Sequence, residues 1–434
     1  MSNTEKLIFW ELNEINFDYV NFYIGEGKLP NWKKLIEDHG LFTTLAEENY
    51  NELEPWIQWP TIRTGLTFEE HGVFRLGDIE RSGLRQHWEI LEDRGYSVAS
   101  LSAINASNNT KKSAFWIPDP WVDTKISGNG FSRRFTKVLK QAVNDNSEEK
   151  LSFFSIIVIL EGLIFKSKIS SWPIYLSGLI GAVKKQHWSK AIFLDRLIAD
   201  VFINLWKANK PDFSVLFLNS GAHIQHHYMC SAKPYKGDVV NPEWYIAKGS
   251  DPLLEILEMY DLLLKELLNL KNTRLMVAVG LRQVPYESPT FYWRLKNHDE
   301  FLIKLGIKFK KVNPRMTRDF LVEFESEEDL MEAEKTFLEV KSFSGDSIFN
   351  EVDNRGGDLF VSLTFSDDIS DEFDIFLNER RYDNFKNDVV FVAIKNGHHD
   401  SLGYYLDTAR KPGELEPNIA LRNIFSYIMN HFNI

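Results

Sequence analysis

Five short, nearly continuous apolar runs constrain the fold of this chain more than any other feature. They are Leu7–Trp10, Ser97–Ser102, Ser214–Leu218, Leu275–Val279 and Val389–Ile394. Runs of about four to eight such residues, closed by polar or glycine-containing turns, are typical of parallel strands buried on both faces. Amphipathic helical patterns lie between them, at Ile192–Ala208 and Asp251–Leu270. This alternation predicts an α/β fold built on a doubly wound, mostly parallel sheet.

A first interruption of this alternation predicts a helical insertion at residues 108–186. The stretch contains the aromatic Trp116–Trp121 loop and two strongly apolar helices. We expect the flanking parts of the chain to form one α/β core, made of residues 1–107, 187–291 and 382–434.

A second interruption, at residues 292–381, predicts a small α+β cap. Strand-like patterns at Phe320–Phe324 and Leu359–Phe365 flank an acidic helical pattern at Glu327–Val340. The sequence shows no internal repeat, no low-complexity tract and no linker long enough to separate independent domains, so we expect the body to be one sheet assembled from both ends of the chain.

The charge and the cysteine content exclude several classes of function. The 434 residues carry a net charge of −12, without a Lys/Arg stripe, which argues against nucleic acid as a partner. A single cysteine, Cys230, forms neither an internal disulfide nor a multi-thiolate zinc site. The polar segment Met1–Lys6 lacks the apolar core of a secretory signal. We therefore expect a cytoplasmic protein.

The two apolar helices of the first insertion have two interpretations. Leu151–Phe165 and Trp172–Val183 are both shorter than the ~20 residues that span a bilayer, so one interpretation is a pair of buried helices. Lysines flank both segments: Lys166, Lys168, Lys184 and Lys185. The alternative is a helical hairpin, residues 151–183, in peripheral contact with an anionic membrane.

Polar residues gather directly after four of the five strands. These segments are Glu11–Glu14, Asn219–His227, Gly280–Gln283 and Asn396–Asp400. Five of the eleven histidines lie in two of them. Ligands of open parallel sheets bind outside the carboxyl ends of the strands, because the loops converge there. We therefore expect a functional cleft at this edge.

The histidines of these segments include two adjacent pairs, His226-His227 and His398-His399. In extended backbone, adjacent side chains point to opposite faces. Only one member of each pair is therefore needed as a metal or phosphate ligand.

Other polar residues near the expected cleft have alternative interpretations. Glu11 and Glu14 either take part in a site or are solvated turn residues. Arg282 either pairs with an acid or grips a phosphate through its planar guanidinium group. The stretch Glu54–Phe74, rich in tryptophan and proline, either packs on the sheet edge or borders the cleft.

Five segments match, in order and spacing, the motifs of one protein family. They are Leu7–Asp18, Leu29–Leu35, Thr64–Phe74, His223–His226 and Gly397–Gly403. They resemble the opening metal-binding strand, the P-N-L-x-x-L helix, the T-G-x-x-P-x-x-H-G-I segment, the D-x-x-Q-H segment and the final H-x-x-x-G segment of the alkaline phosphatase superfamily. The similarity is to its phosphodiesterase/nucleotide-pyrophosphatase-like and sulfatase-like branches. It implies an alkaline-phosphatase-like fold and ester hydrolysis with two metal ions, usually zinc or manganese, and a Thr or Ser nucleophile.

Most residues of that family's site are replaced in this chain. The first metal-binding aspartate falls on Asn13, the nucleophile on Pro55, and the aspartate four residues before His226 on Ala222. The S-D-H-G turn falls on Gly280–Gln283. Neutral and cationic side chains do not bind zinc, so we do not expect the two-metal centre to be intact.

The resemblance leaves room for a remodelled site with one divalent ion, zinc or manganese. Its predicted ligands are His226, His399 and Glu11, with Glu14, Glu54 or His223 as further possibilities. The predicted catalytic residues are Glu54, Arg282 and Glu14. The predicted substrate-binding residues are Asn13, Gln58, Trp59, His223 and Gln283.

Three functions follow as hypotheses. The first is a phosphate- or sulfate-ester hydrolase, phosphodiesterase-like, or a transferase using the same site, with a phosphorylated or sulfated small molecule or a glycan precursor as its partner. The second is a pseudoenzyme that binds a phosphorylated ligand or a sugar nucleotide without turnover, because so many catalytic groups are lost. The third is a scaffold that binds partners through its acidic cap and apolar hairpin.

Overall fold

The structure is a computed structural model, and it describes residues 5–46, 49, 53–144, 152–184, 186–288, 290–315 and 318–434. Leu151, the first residue of the predicted hairpin, lies outside the described residues. The chain divides into two compact units. The larger unit contains Met1–Gln141, Ser152–Pro285 and Gly397–Ile434, and the smaller unit contains Ala142–Leu151 and Tyr286–Asn396.

Strands occur in both units. In chain order they are β1 (Lys6–Leu12), β2 (Phe42–Leu45), β3 (Val98–Leu101), β4 (Phe115–Ile117), β5 (Phe213–Leu218), β6 (Thr273–Val279), β7 (Arg282–Pro285), β8 (Phe291–Leu295), β9 (Lys311–Pro314), β10 (Asp319–Glu323), β11 (Val340–Ser342), β12 (Phe349–Asn354), β13 (Asp358–Leu363), β14 (Ile375–Leu377), β15 (Arg380–Tyr382), β16 (Val389–Ile394), β17 (Gly397–Asp400), β18 (Leu402–Asp407) and β19 (Ile419–Ala420).

Helices follow most strands of the larger unit. In chain order they are α1 (Phe17–Gly25), α2 (Pro30–His39), α3 (Pro55–Thr64), α4 (Phe68–His71), α5 (His87–Asp93), α6 (Gly130–Asn144), α7 (Phe153–Phe165), α8 (Trp172–Val183), α9 (His187–Asn209), α10 (Ser220–Tyr228), α11 (Pro252–Leu268), α12 (His298–Leu305), α13 (Glu327–Glu339) and α14 (Asn423–His431).

The larger unit is built on an eight-stranded sheet with the order β19-β2-β18-β6-β1-β5-β3-β4. β1 lies in the middle and runs parallel to β5 and β6, with Leu7 opposite Phe213 and Arg274. β18 runs antiparallel to both of its neighbours, β6 and β2. The predicted α/β class with a mostly parallel sheet is therefore confirmed.

Helices cover both faces of this sheet, because successive side chains of a strand point to opposite faces. Phe9 of β1 contacts His87 of α5, whereas the next residue, Trp10, contacts Trp32 of α2 and Tyr260 of α11. Residues 7–12 of β1 are consequently all buried, which explains why the strand is an almost uninterrupted apolar run. The sheet is doubly wound, as its sequence pattern predicts.

Four of the five predicted strands occupy this sheet, as β1, β3, β5 and β6. The fifth, Val389–Ile394, forms a strand, but its assignment as a buried parallel strand is wrong. It is β16, which pairs antiparallel with β8 in the smaller unit, with Val389 opposite Leu295. Residues 390–392 of β16 are only partly buried. The strand is apolar because β-branched and aromatic residues favour strands, and not because both of its faces are covered. The predicted Trp116–Trp121 loop also begins in a strand, because β4 pairs parallel with β3.

The smaller unit contains a four-stranded antiparallel sheet, β12-β13-β10-β9, and a three-stranded sheet, β11-β14-β15. The predicted strands and acidic helix of this region are present as β10, β13 and α13. Ser326 caps α13 by accepting a hydrogen bond from the Asp329 N–H, and acidic residues fill its first turn. Phe337 on its inner face packs against Phe320 and Phe349 in an aromatic core.

Candidate functional site

Polar segments converge at the carboxyl edge of the central sheet. Because β1, β5 and β6 are parallel, their last residues end at the same edge, with Leu12 opposite Leu218. Asn13 and Glu14 follow β1, helix α10 follows β5, and the ribbon of β7 and β17 follows β6. The predicted convergence is therefore present in the structure.

Glu14 occupies an unusual backbone conformation at this edge. Its φ is +58°, in the left-handed region that non-glycine residues rarely adopt. Two donors hold its carbonyl oxygen, the Gln283 N–H at 3.2 Å and the Gln225 Nε2 at 2.8 Å. A strained backbone conformation of this kind persists only where surrounding contacts hold it in place, and such residues are concentrated at functional sites.

Two histidines meet the buried carboxylate of Glu14. Helix α10 brings His226 Nε2 to 3.0 Å from Glu14 Oε2, and β17 brings His399 Nε2 to 3.2 Å from the same oxygen. The two imidazole rings lie 5.2 Å apart between centroids. We call Glu14, His226 and His399 the His–Glu cluster.

The cluster is strongly coupled electrostatically. Burial by itself raises the pKa of Glu14, but the charges of His399 and His226 outweigh it and hold that pKa far below its usual range. Burial lowers the pKa of His399, but the negative charges of Glu14 and then Glu54 raise it to about 9. His399 Nε2 is buried, and among the described residues no hydrogen bond of good geometry reaches it. A metal ion bound between this nitrogen and the carboxylate would take the place of the proton that the raised pKa of His399 holds there.

Three predicted substrate-binding residues lie behind the cluster. Asn13 Nδ2 donates to Glu14 Oε1 at 2.8 Å, and Gln283 Nε2 donates to Glu14 Oε2 at 2.6 Å. Trp59 Nε1 in turn donates to Asn13 Oδ1 at 3.0 Å. All three side chains are buried, so they orient the Glu14 carboxylate and are closed to an incoming ligand.

Helix α3 presents Glu54 to the other side of His399. Glu54 is the residue before Pro55, which starts α3 with its preset φ. Glu54 Oε2 lies 3.6 Å from His399 Nδ1, while His399 Nε2 faces Glu14. A carboxylate beside the second ring nitrogen is the usual arrangement around a metal-binding histidine. Gln58, one turn further along α3, is fully buried.

The segment after β5 is helical, so its expected extended conformation is wrong. In α10 the side chains of His223 and His227 are one turn apart, with ring centroids at 4.5 Å. Burial lowers the pKa of His223 to about 4, so this ring is neutral. His223 precedes the cluster residue His226 by three positions and therefore lies beside it on the helix.

Glu11, a predicted metal ligand, lies apart from the cluster. Both of its carboxylate oxygens accept hydrogen bonds from Arg63, with Nε to Oε1 at 2.8 Å, and both side chains are fully buried. The Arg63 guanidinium also donates to the Ile104 carbonyl oxygen. The carboxylate that lies beside His226 and His399 is that of Glu14.

Arg282, the predicted anion-binding residue, is engaged by acids. Its Nε donates to Asp400 Oδ1 at 2.8 Å and its Nη1 to Asp18 Oδ2 at 2.7 Å. In the ribbon of β7 and β17, Arg282 is opposite Asp400, and the next residue, Gln283, is opposite His399. Because successive residues of a strand alternate in direction, Arg282 points away from the cluster. Of its two interpretations, pairing with an acid is the one observed.

The His–Glu cluster is the only group of three candidate metal-ligating side chains within the described ranges. One ligand atom from each member lies within 4.8 Å of the others. Atoms bound to an ion at about 2.1 Å lie roughly 3.0 Å apart at a right angle and roughly 3.4 Å apart at a tetrahedral angle. The observed separations of 3.0 and 3.2 Å fall in this range, so the residues fit a divalent ion.

No protein-family model matches this sequence, and no curated protein matches it. Solved structures similar to it include phosphonoacetate hydrolase from Sinorhizobium meliloti 1021 in complex with phosphonoacetate, with 13% identity and a TM-score of 0.46 over 99% of this chain and 96% of the other. Murine ectonucleotide pyrophosphatase/phosphodiesterase 5 has 11% identity and a TM-score of 0.39 over 99% and 95%.

Proposed function

We propose that this chain is a hydrolase or transferase for a phosphate or sulfate ester, with a site that holds one divalent metal ion. The observation that carries this proposal is the His–Glu cluster, in which two histidine nitrogens face one carboxylate oxygen at 3.0 and 3.2 Å. Two histidines and a carboxylate, with open positions for substrate and water, form a common ligand set of catalytic zinc sites.

The side chains around the cluster prepare it for a cation. Asn13 and Gln283 fix both oxygens of Glu14 through hydrogen bonds. Glu54 lies beside His399 Nδ1, which favours a proton on that nitrogen and leaves Nε2 as a ligand. A bound divalent ion would supply a Lewis acid for an ester oxygen.

The described residues at the second metal position of the resembled family do not suit a cation. Leu281 is buried and apolar, and Arg282 is paired with Asp400 and Asp18. Gln283 donates both side-chain hydrogen bonds, to Glu14 and to the Ala222 carbonyl oxygen. We therefore infer a site for one ion, with zinc or manganese as the candidates.

Elemental analysis of adjacent-residue variants tests this proposal. His399→Asn removes a ligand, whereas the matched control His398→Asn changes the neighbouring residue of β17, which points to the opposite face of the strand. We expect about one zinc or manganese per chain in the parent and in the control, and a loss of at least tenfold in His399→Asn and His226→Asn. Equal metal content in all four proteins would contradict the assignment.

Catalysis is measured on the same samples. Generic phosphomonoester, phosphodiester and sulfate-ester substrates are offered to metal-loaded and chelator-treated protein. Turnover that depends on the metal and is lost with His226→Asn supports the enzyme. Turnover that persists after chelation and in the His226→Asn variant would show that the reaction takes place elsewhere in the molecule.

Two observations favour a second candidate, a binding protein without turnover. The position that the resemblance assigns to the nucleophile is Pro55, which has no hydroxyl group, and an imidazolium at His399 would neutralise Glu14 without any metal. A protein of this kind would bind a phosphorylated ligand at the sheet edge. It is favoured if the purified protein contains no metal, regains none on reconstitution, and turns over none of the three substrate classes.

A further inference from the structure

Exposed apolar side chains are concentrated in one short segment of the larger unit. Among the described residues, 13 of the 23 large hydrophobic side chains that are exposed lie between residues 153 and 183, in α7, α8 and their connecting turn. We call this segment, residues 153–183, the apolar hairpin. Scattered exposed hydrophobic residues are ordinary, but a concentration of this kind marks an interaction surface.

The exposed residues form a stripe along each helix. On α7 they recur at three- and four-residue steps, as in Phe153, Ile157, Leu160 and Ile164, which are 48–78% exposed. On α8 the steps give Trp172, Leu176, Leu179, Ile180 and Val183. A helix that faces water normally carries charge on that side, yet Glu161 is the single charged residue in the two helices.

The opposite side of each helix is already packed. A methyl group added to Gly178 of α8 would lie 3.1 Å from Phe193 Cβ, and one added to Gly162 of α7 would lie 3.1 Å from Leu197 Cδ1. Both partners belong to α9, so glycines let the two helices approach it closely. The sides of α7 and α8 that face α9 are therefore already packed against it. The exposed apolar stripes lie on the other sides and are not needed for this packing.

The charge of the hairpin turn and of the residues that follow it is positive. Residues 162–194 contain five lysines and no acidic residue, in a chain that has 62 acidic residues in total. Helix α6, which contacts the hairpin through the Arg134–Glu161 ion pair, also exposes Arg133 and Lys137. Cations at the rim of an apolar surface are the arrangement that recognises anionic lipid headgroups.

A cleft beside the hairpin turn, which we call the lysine cleft, adds to this charge. Its volume is about 670 Å³, and Lys168, Lys207, Lys210 and Lys271 are among its lining residues. Lys168 pairs with Glu266 at 2.9 Å. The other three make no ion pair with a described residue, so the cleft keeps a net positive charge at the turn.

We propose that the apolar hairpin docks this protein on an anionic membrane surface. The hairpin lies in the plane of the interface, with its stripes among the acyl chains and the lysines at the level of the lipid phosphates. It does not cross the bilayer, since no described helix is long and apolar enough to do so. A second copy of the chain is a poorer occupant, because face-to-face packing would bring two sets of lysines together.

Vesicle flotation tests this proposal with the intact chain. The parent is mixed with phosphatidylcholine vesicles containing about 30% phosphatidylglycerol, or with phosphatidylcholine alone. We expect the protein to float with the anionic vesicles and to bind them at least tenfold more tightly than the neutral ones, and we expect added salt to weaken binding. Absence of flotation with anionic vesicles would overturn the proposal.

The variant with a polar hairpin carries Leu160→Gln, Ile164→Gln, Leu176→Gln and Ile180→Gln. A matched control carries the same change at four exposed hydrophobic residues of other helices: Leu262, Ile303, Met331 and Leu338. All eight side chains are at least 43% exposed, so folding should survive both sets. We expect the first variant to lose at least tenfold in vesicle affinity and the control to bind as the parent does.

A labelled protein gives a second measurement that does not depend on the polar variant. Cys230 is buried, so Leu179→Cys introduces an accessible thiol for an environment-sensitive dye. A blue shift on adding anionic vesicles supports insertion. A different outcome is a blue shift that appears without lipid, grows with protein concentration and is accompanied by dimers in sedimentation. That result would show that the hairpin is a self-association surface, and it would overturn membrane docking. This outcome is independent of the metal content that tests the proposed function.

Discussion

The buried ion pair of Glu11 and Arg63 should be a structural element whose disruption is costly. Both side chains are fully buried, and the guanidinium group donates to both carboxylate oxygens. Glu11→Leu leaves the arginine charge without its partner in the interior. Breaking a buried pair in this way typically costs about 3–5 kcal/mol, because the remaining charge is uncompensated. We expect a destabilisation of that size.

A double-mutant cycle measures the coupling of the pair. Arg63→Met alone should cost about as much as Glu11→Leu, while the double variant should recover most of the loss, leaving about 1 kcal/mol for the lost hydrogen bond to the Ile104 carbonyl oxygen. Urea unfolding followed by tryptophan fluorescence is the assay, because the Arg63 guanidinium lies 5.8 and 5.5 Å from the rings of Trp59 and Trp88.

The control is the exposed ion pair of Lys34 and Asp38, for which we expect no measurable coupling. Metal content is determined on the Glu11→Leu protein under conditions where it is folded. We expect the parent's value, because Glu11 lies apart from the His–Glu cluster. Loss of metal with unchanged urea resistance would refute this reasoning and restore Glu11 as a ligand.

Three further predictions concern the region around the site and the sheet. Burial lowers the pKa of His71 to about 4, and its Nδ1 accepts a backbone N–H, so the folded state holds it neutral; the contribution of His71 to stability is complete above pH 6.5 and falls by about 2 kcal/mol, after allowance for solvent screening, as the pH drops from 6.5 to 4, so the loss of stability over this range in urea titrations should be smaller in His71→Asn than in the parent by that amount. Gln283→Leu removes a hydrogen bond to Glu14 and should weaken metal affinity about 10–100-fold in chelator competition, with the fold intact by circular dichroism. Gly403→Ala places a methyl group against a backbone carbonyl oxygen of β6 and should cost about 1–3 kcal/mol in urea unfolding, whereas Gly357→Ala, in open space, should cost little.

The central strands could be predicted because they are buried on both faces. β1, β5 and β6 are covered by helices on each side, which leaves apolar residues at nearly every position. β18 contains Gly403 and two tyrosines, and its place beside β6 depends on a pairing over more than 120 residues. No local pattern encodes such a pairing. The same limit explains β16, whose composition resembles a core strand while its partner is β8.

The location of the site could be predicted, but not the choice of its carboxylate. Polar residues after parallel strands converge because the strands end together, and His226 and His399 follow from that rule. Glu11 and Glu14 are three residues apart, and the sequence hypothesis put Glu11 ahead of Glu14 as the ligand. The difference arises from Arg63, whose approach neutralises Glu11, and from the left-handed turn that directs the Glu14 carboxylate to the histidines. Both are tertiary features.

The His–Glu cluster and the lysine cleft at the hairpin turn lie at opposite ends of the central strands, so each proposal supplies a control for the other. The lysine cleft includes Lys6 at the first residue of β1, whereas the His–Glu cluster includes Glu14, two residues after the last. At about 3.3 Å per residue, β1 alone separates them by roughly 20 Å, beyond the Debye length of about 8 Å at physiological salt. Polar substitutions in the hairpin should therefore leave metal content unchanged, and His399→Asn should leave vesicle binding unchanged. If either variant altered both properties, the effect would come from the folded state as a whole and not from the surface assigned to it.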